Sequence, residues 1–441
     1  MSMKRILLTG TFPNLTHLNV CNFGRHIASN YFTNQSIFQD IFKHQITELI
    51  LENSDQGRGA ISLEEYTENI YARILTFFEN LTHLSIVKSS SISEYPPLSI
   101  WYLPSTFSSS ILTKLNINVR RIHDCFHLLD GRLKQLKILI VEVGYIDNNL
   151  QIIHNTNELL NLKSFSLTCY YETNAYDNQV IPLLRRMTHL EKLTLYIRID
   201  DRSRFVDGTN LHKNILIHMP RLDTFTFYIS TDIQFDDSVD HLSDNDIQQT
   251  FTNIGYHKIA CSVNYYYRKY RAVCHVFSLP FTFNRLEKIS NKFPNIIFNT
   301  VTYLLVGDII PFKYEFFIRI SKAFPSLKYF SIINITSPLL NFDSYTADNI
   351  DSCSSIQYLN LTSLTVNYVD NYYIEQFLLD TKTYAPHLTE IKVYFNQLKT
   401  VTENFTRDAT RYNCRNIKRL IFEKTINYSK ELYLYFPSLL D

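Results

Sequence analysis

Two histidines four residues apart, with a cysteine between them, are the clearest place in this 441-residue chain to look for chemistry. In His123-Asp124-Cys125-Phe126-His127 a helix would bring both imidazoles onto one face, the spacing of a zinc-binding helix. Cys125 would point elsewhere, and the His-Glu-x-x-His glutamate is missing. The expectation is a packed helix rather than a metal site. His212 and His218 are six apart, which suits neither a strand nor a helix pair. The run YYYRKYR at 265–271 mixes rings with cations, as binders of single-stranded nucleic acid do. A strand with one packed and one solvated face accounts for it equally well and is preferred here. The acidic stretch 232–246 offers many carboxylates but lacks the glycine and closing glutamate of a calcium loop, so it reads as a solvated loop. Asp200 and Asp201 follow a strand-like phrase and read as turn residues.

The totals point the same way. There are 43 basic against 42 acidic residues, a net charge of +1, which gives no electrostatic case for nucleic acid or an anionic membrane. Only 9 glycines are present, and none cluster as a phosphate-cradling loop needs. Nucleophile-elbow, P-loop, dinucleotide and kinase motifs are all absent from the sequence. We therefore expect no enzyme, no catalytic, cofactor-binding or metal residues, and no cofactor. The seven cysteines are odd in number and scattered, as in reduced proteins of the cytoplasm or nucleus. The opening MSMKRILLTGTF has too short an apolar run for a signal peptide, and no stretch approaches 18 apolar residues. N-x-S/T triplets such as Asn14-Leu15-Thr16 and Asn80-Leu81-Thr82 read as parts of a repeat rather than glycan acceptors.

That repeat is the dominant signal. LTHLNV from Leu15 returns as ITELIL (Ile46), LTHLSI (Leu81), LTKLNI (Leu112), LKILIV (Leu136), LKSFSL (Leu162), LEKLTL (Leu190) and LDTFTF (Leu222). After a gap come VTYLLV (Val301), LKYFSI (Leu327), LTSLTV (Leu361), LTEIKV (Leu388) and IKRLIF (Ile417). The steps range from 24 to 35 residues and centre near 29. Each phrase ends in apolar/polar alternation, the mark of a half-buried strand. Between phrases lie stretches with helical spacing, among them SLEEYTENIYARILTFF, where Ser62 and Glu65 can form a capping box, NQVIPLLRRM, KYEFFIRISKAF and NYYIEQFLLDTKTY. One strand and one helix cannot bury their own apolar faces, so stacking on neighbours is expected.

Thirteen such cores resemble leucine-rich repeats of the long, helix-containing class, that of the repeat region of F-box leucine-rich-repeat proteins. The resemblance is closest at FPNL, MPRL and FPSL (12–15, 219–222 and 324–327). It implies an α/β solenoid or horseshoe with irregular repeats, parallel strands on the concave face and helices on the convex face. It departs at the ninth core position, where Phe23, Ser54, Ser89 and Gly144 stand in place of asparagine or cysteine, so a weak side-chain ladder is expected. The resemblance further implies substrate recognition in a ubiquitin ligase. An F-box, the part that grips a cullin-ligase adaptor, has no room before the first phrase, so the expectation is a fragment of a longer product, a gene that lost the box, or a free-standing scaffold.

Three regions follow: repeats of a first arc at 1–230, an irregular insert with an acidic loop at 231–290, and repeats of a second arc at 291–441. Within the insert YRAVCHVFSL reads as an extra strand and FNRLEKISNKF as a helix. Positions three, five and seven of each phrase should face the concave side. There Tyr196, Tyr228, Tyr303, Tyr329 and Tyr394 are the expected contacts to a protein partner, since tyrosine joins a large ring to a polar tip.

Overall fold

The computed structural model describes residues 12–23, 32, 43–53, 65, 67–88, 97–104, 106–148, 159–235, 241–266, 270–307, 310–334, 355–424 and 429–439. All thirteen phrases carry a strand, and every strand begins two residues after the first apolar position. In the first region these are β1 (His17–Phe23), β2 (Glu48–Asn53), β3 (His83–Lys88), β4 (Lys114–Arg121), β5 (Ile138–Tyr145), β6 (Ser164–Thr173), β7 (Lys192–Arg202) and β8 (Thr224–Gln234). There follow β9 (Ile259–Tyr266), β10 (Arg271–Ser278), β11 (Arg285–Ile289), β12 (Tyr303–Gly307), β13 (Tyr329–Asn334), β14 (Ile356–Gln357), β15 (Ser363–Val369), β16 (Thr383–Tyr384), β17 (Glu390–Val393) and β18 (Arg419–Ile421).

The chain divides into two compact units, one of residues 1–259 with 270–278, the other of 260–269 with 279–441. In the first unit β1 to β8 lie side by side in sequence order, all parallel, and β10 adds antiparallel to β8. In the second, the order β11-β12-β13-β15-β17-β18 is again parallel throughout, with β14 and β16 paired separately. The protein is thus α/β, with mostly parallel sheets and short helices between strands.

Register explains the repeat. Leu49, Leu84, Leu115, Leu139, Phe165, Leu193 and Phe225 stand opposite one another down the first sheet, and each is buried. Leu51, Ile86, Ile117, Val141, Leu167, Leu195 and Phe227 form a second column two residues on. Each such side chain contributes roughly 1.5–3 kcal/mol of burial. Helices bring apolar positions of their own, as one in the second unit shows. In Tyr314–Ala323 these are Phe316, Phe317, Ile320 and Ala323, the three- and four-residue spacing of one helical face.

The head of the phrase is also structural. FPNL, MPRL and FPSL are turns in which Leu15, Leu222 and Leu327 donate to the carbonyls of Phe12, Met219 and Phe324, with proline second in each turn, where its fixed φ fits. In the first unit the residue after the first apolar position, threonine at 47, 82 and 113, donates its amide to the equivalent carbonyl of the preceding phrase. Thr16 O accepts from Thr47 and Glu48, Thr47 O from Thr82 and His83, and Thr82 O from Thr113 and Lys114. The hydroxyls of Thr82 and Thr113 reach those same carbonyls at 3.1 Å. The asparagine before the leucine spans the same gap: Asn80 Nδ2 donates to His44 O (2.7 Å), Asn161 to Lys134 O (2.8 Å), and Asn360 to Pro325 O (2.9 Å). A side-chain ladder therefore exists at the start of several phrases, while Ser54 and Ser89 of the ninth position lie outside the described residues.

The expected helix at FNRLEKISNKF is a strand. Leu286 and Ile289 both face the core, three residues apart, because Lys288 adopts φ 56° and shifts the register between them. That bulge mimics helical spacing in the sequence. YRAVCHVFSL forms β10, as read. Of the acidic stretch, the described residues include the end of β8 and the start of the helix Asp244–Thr252, whose Ser243 and Asp246 form a capping box. Residues 236–240, the centre of the expected loop, lie outside the described residues. Ser62 of the other capping box lies outside the described residues.

Candidate partner-binding surface

Strand alternation leaves one face of each sheet to side chains between the core columns. In the second unit, one register position can be followed across all six strands: Arg285, Tyr303, Tyr329, Ser363, Glu390 and Arg419. The Arg285 guanidinium lies 4.1 Å from the Tyr303 ring centroid, a cation–π contact. Ser363 Oγ donates to Glu390 Oε1 at 2.9 Å, and Arg419 Nη1 to Glu390 Oε2 at 3.1 Å. These contacts fix a mixed aromatic and charged row whose tyrosines remain partly exposed. The corresponding row of the first unit is more polar, running His17, Glu48, His83, Lys114, Ile138, Ser164, Lys192 and Thr224.

The five tyrosines fall in different settings. Tyr303 and Tyr329 are neighbours in this row. Tyr394 sits at the N-terminus of the helix Phe395–Val401, partly exposed, with its ring edge-on to Tyr368 at 5.7 Å. Tyr196 and Tyr228, expected on the partner surface, are buried. Their strands run 11 residues, so position seven lies mid-strand instead of at a strand end. Tyr196 then packs between Tyr170 (5.1 Å) and Tyr228 (4.6 Å), while Tyr228 faces His275 and Phe277 of β10.

Charged chemistry in the same part of the first unit is used internally. Arg198 Nη2 donates to Glu172 at 2.7 Å, Arg271 Nε to Asp232 at 2.8 Å, and Arg202 binds Asp177 through two nitrogens at 2.7 and 2.9 Å. Desolvation, then the Glu172 charge, raises the Asp200 carboxyl above its usual range.

The histidine pair resolves similarly. His123 and His127 lie on the helix Ile122–Leu128, and both rings stand edge-on to the indole of Trp101, at 5.8 and 4.8 Å. Burial is the first cause that lowers the His127 pKa. Cys125 is buried, and its thiol is pushed well up by desolvation. His212 sits in the helix Gly208–Asn214 and His218 in a separate short turn. Among the described residues no group of three His, Cys, Asp or Glu is placed to hold a metal ion, and no helix is long and apolar enough to cross a membrane.

No protein-family model matches the chain, and no curated protein does. The surface is thus the basis for a functional reading. What sequence reasoning missed is an exposed aromatic pair on neighbouring strands. There Tyr145 and Tyr171, both more than half exposed, stack at 4.8 Å on the ends of β5 and β6. The signal was the tyrosine four residues past each of the phrases LKILIV and LKSFSL, which counting only to position seven passes over.

Proposed function

We propose that this chain is a protein-interaction scaffold built as a leucine-rich-repeat solenoid, with the open face of its sheets as the partner surface. The row Arg285–Tyr303–Tyr329–Ser363–Glu390–Arg419 carries the reading. It combines tyrosine and arginine, the residue types enriched where protein partners bind tightly. The in-order parallel strands and the recurrent turn, threonine and asparagine contacts support the repeat assignment. By resemblance to F-box leucine-rich-repeat proteins, the partner is a substrate delivered to a ubiquitin ligase. A free-standing scaffold uses the same surface without that link.

The test is affinity purification of the tagged chain from its own cells, with mass spectrometry of the captured proteins. Cullin-ligase adaptor subunits above background support the ubiquitin form. A reproducible partner set without them favours the free-standing scaffold. The double variant Tyr303→Ala/Tyr329→Ala should lose most of that set. If it folds and retains every partner, the row is not the binding surface.

A further inference from the structure

A cavity of about 220 Å³ opens in the first unit between the segment Leu98–Tyr102 and the end of β4. Short-strand pairing makes it: Leu98 N donates to Asn118 O at 3.1 Å, and Arg120 N to Leu98 O at 2.9 Å. Leu98 and Ile100 are buried anchors, so the segment is fixed against β4. The Asp124 carboxylate then ties both walls together, Oδ1 accepting from Trp101 N and Oδ2 from Arg121 N, each at 2.9 Å.

The side chains facing the cavity are mostly donors. Arg120 is exposed and, among the described residues, its guanidinium has no ion pair or hydrogen bond. Arg121 Nη1 lies 3.4 Å from Asp147 Oδ2, beyond the ~2.7–2.9 Å of a charge-assisted hydrogen bond. By contrast Arg132, Arg198, Arg202 and Arg271 each hold a carboxylate at 2.7–2.8 Å. Ser99 is only 4% exposed, lines the cavity, and its hydroxyl has no partner among the described residues. The indole N–H of Trp101 is in the same position, and Trp101 and Tyr102 are both exposed on the rim. Two guanidinium groups, a buried hydroxyl and an indole N–H around a space this size match the oxygens of a phosphate group. The exposed rings supply a surface for what is attached to it.

We propose that this pocket takes the phosphate of a phosphoserine in a peptide partner, with Trp101 and Tyr102 packing against the flanking residue. The inference rests on the scaffold reading above and names the chemistry of one partner segment. A peptide fits better than a nucleic acid: Arg120 is a single unopposed charge at the pocket, and the chain's net charge of +1 offers no basic track for a phosphate backbone.

Trp101 is the only tryptophan, so its emission reports on this pocket alone. The full chain is titrated with a degenerate nonapeptide pool carrying a central phosphoserine and with the same pool unphosphorylated. The expected result is a saturable emission change with the phosphorylated pool, at least tenfold weaker binding of the other, and loss of the response in Arg120→Glu. Because Arg120 is exposed, circular dichroism and melting of that variant should match the parent. Absence of saturation, equal response to both pools, or an unaltered Arg120→Glu overturns the proposal. So does a stronger response to inorganic phosphate, or to a single-stranded oligonucleotide, which would assign the pocket to a free anion or to nucleic acid. A chain that captures its partners while Trp101 stays silent loses the pocket and keeps the scaffold.

Discussion

Tyr196 on β7 and Tyr228 on β8 occupy the same place in successive rungs, with ring centroids 4.6 Å apart. The Tyr228 hydroxyl lies 3.0 Å from His275 Nδ1, so the column of rings ends on a polar contact with β10. Both tyrosines are among the largest fully buried side chains of the molecule, which makes them part of the core.

Tyr228→Ala should therefore destabilise the first unit by about 3–5 kcal/mol, the range for removing a buried aromatic ring. Tyr228→Phe keeps the ring and should cost about 1 kcal/mol through the lost hydroxyl contact. Urea unfolding followed by circular dichroism checks both. An Ala variant with the parent's midpoint would place Tyr228 on the surface after all.

The asparagine contacts between rungs predict a second effect. Asn80→Ala and Asn360→Ala each remove a hydrogen bond to a carbonyl on the preceding turn. Each should lower stability by about 0.5–1.5 kcal/mol. The two sites lie in different units, so the double variant should show two separate losses. Differential scanning calorimetry reads this directly, and no change in either single variant would remove the ladder's energetic role.

Glycine positions separate sharply. A Cβ at Gly208 would meet backbone atoms of Thr250 and Phe251 at 2.6 Å, whereas one at Gly307 finds nothing nearer than 3.7 Å. Gly208→Ala should destabilise by roughly 1–3 kcal/mol, and Gly307→Ala should be neutral or gain up to about 0.5 kcal/mol. Melting temperatures of the pair decide it, and equal values would contradict the close approach of 208 to 250–251.

Thiol labelling should follow burial. Desolvation raises the thiols of Cys125, Cys169 and Cys414, that of Cys169 to about 12. At pH 8 they stay protonated as well as covered, so iodoacetamide should leave them intact in the native state. Cys21 is exposed, and the hydrogen bond and charge of Glu52 raise its pKa. Its labelling should accelerate as pH rises, because the thiolate forms later than in a free cysteine. Peptide mapping that finds Cys169 modified before Cys21 would refute this order.

The rungs could be read from sequence because each one states its own position. An apolar head and alternation coincide at every phrase, threonine joins them in seven of the thirteen, and the phrase FPSL even specifies its turn. Where the backbone departs from plain geometry, the pattern misleads. Lys288 at φ 56° sets Leu286 and Ile289 at a helix-like spacing, and the strand is hidden. The burial of Tyr196 and Tyr228 was not legible, because strand length depends on what lies beside the strand. Nor was the cavity at Trp101. It joins residues about twenty positions apart through the Leu98–Val119 bridge, and no local motif marks such a meeting. Its aromatic and arginine content could be counted, but the unopposed state of Arg120 is a fact of three dimensions.

The shared carbonyls at 16, 47 and 82 have a further consequence. Each rung presents the next with the same acceptor at the same height, whatever its other residues are. A duplication or excision that begins and ends at equivalent threonines would leave every junction chemically unchanged. The array can therefore grow or shrink by recombination without a new interface being invented, while the outward side chains are left free to diverge.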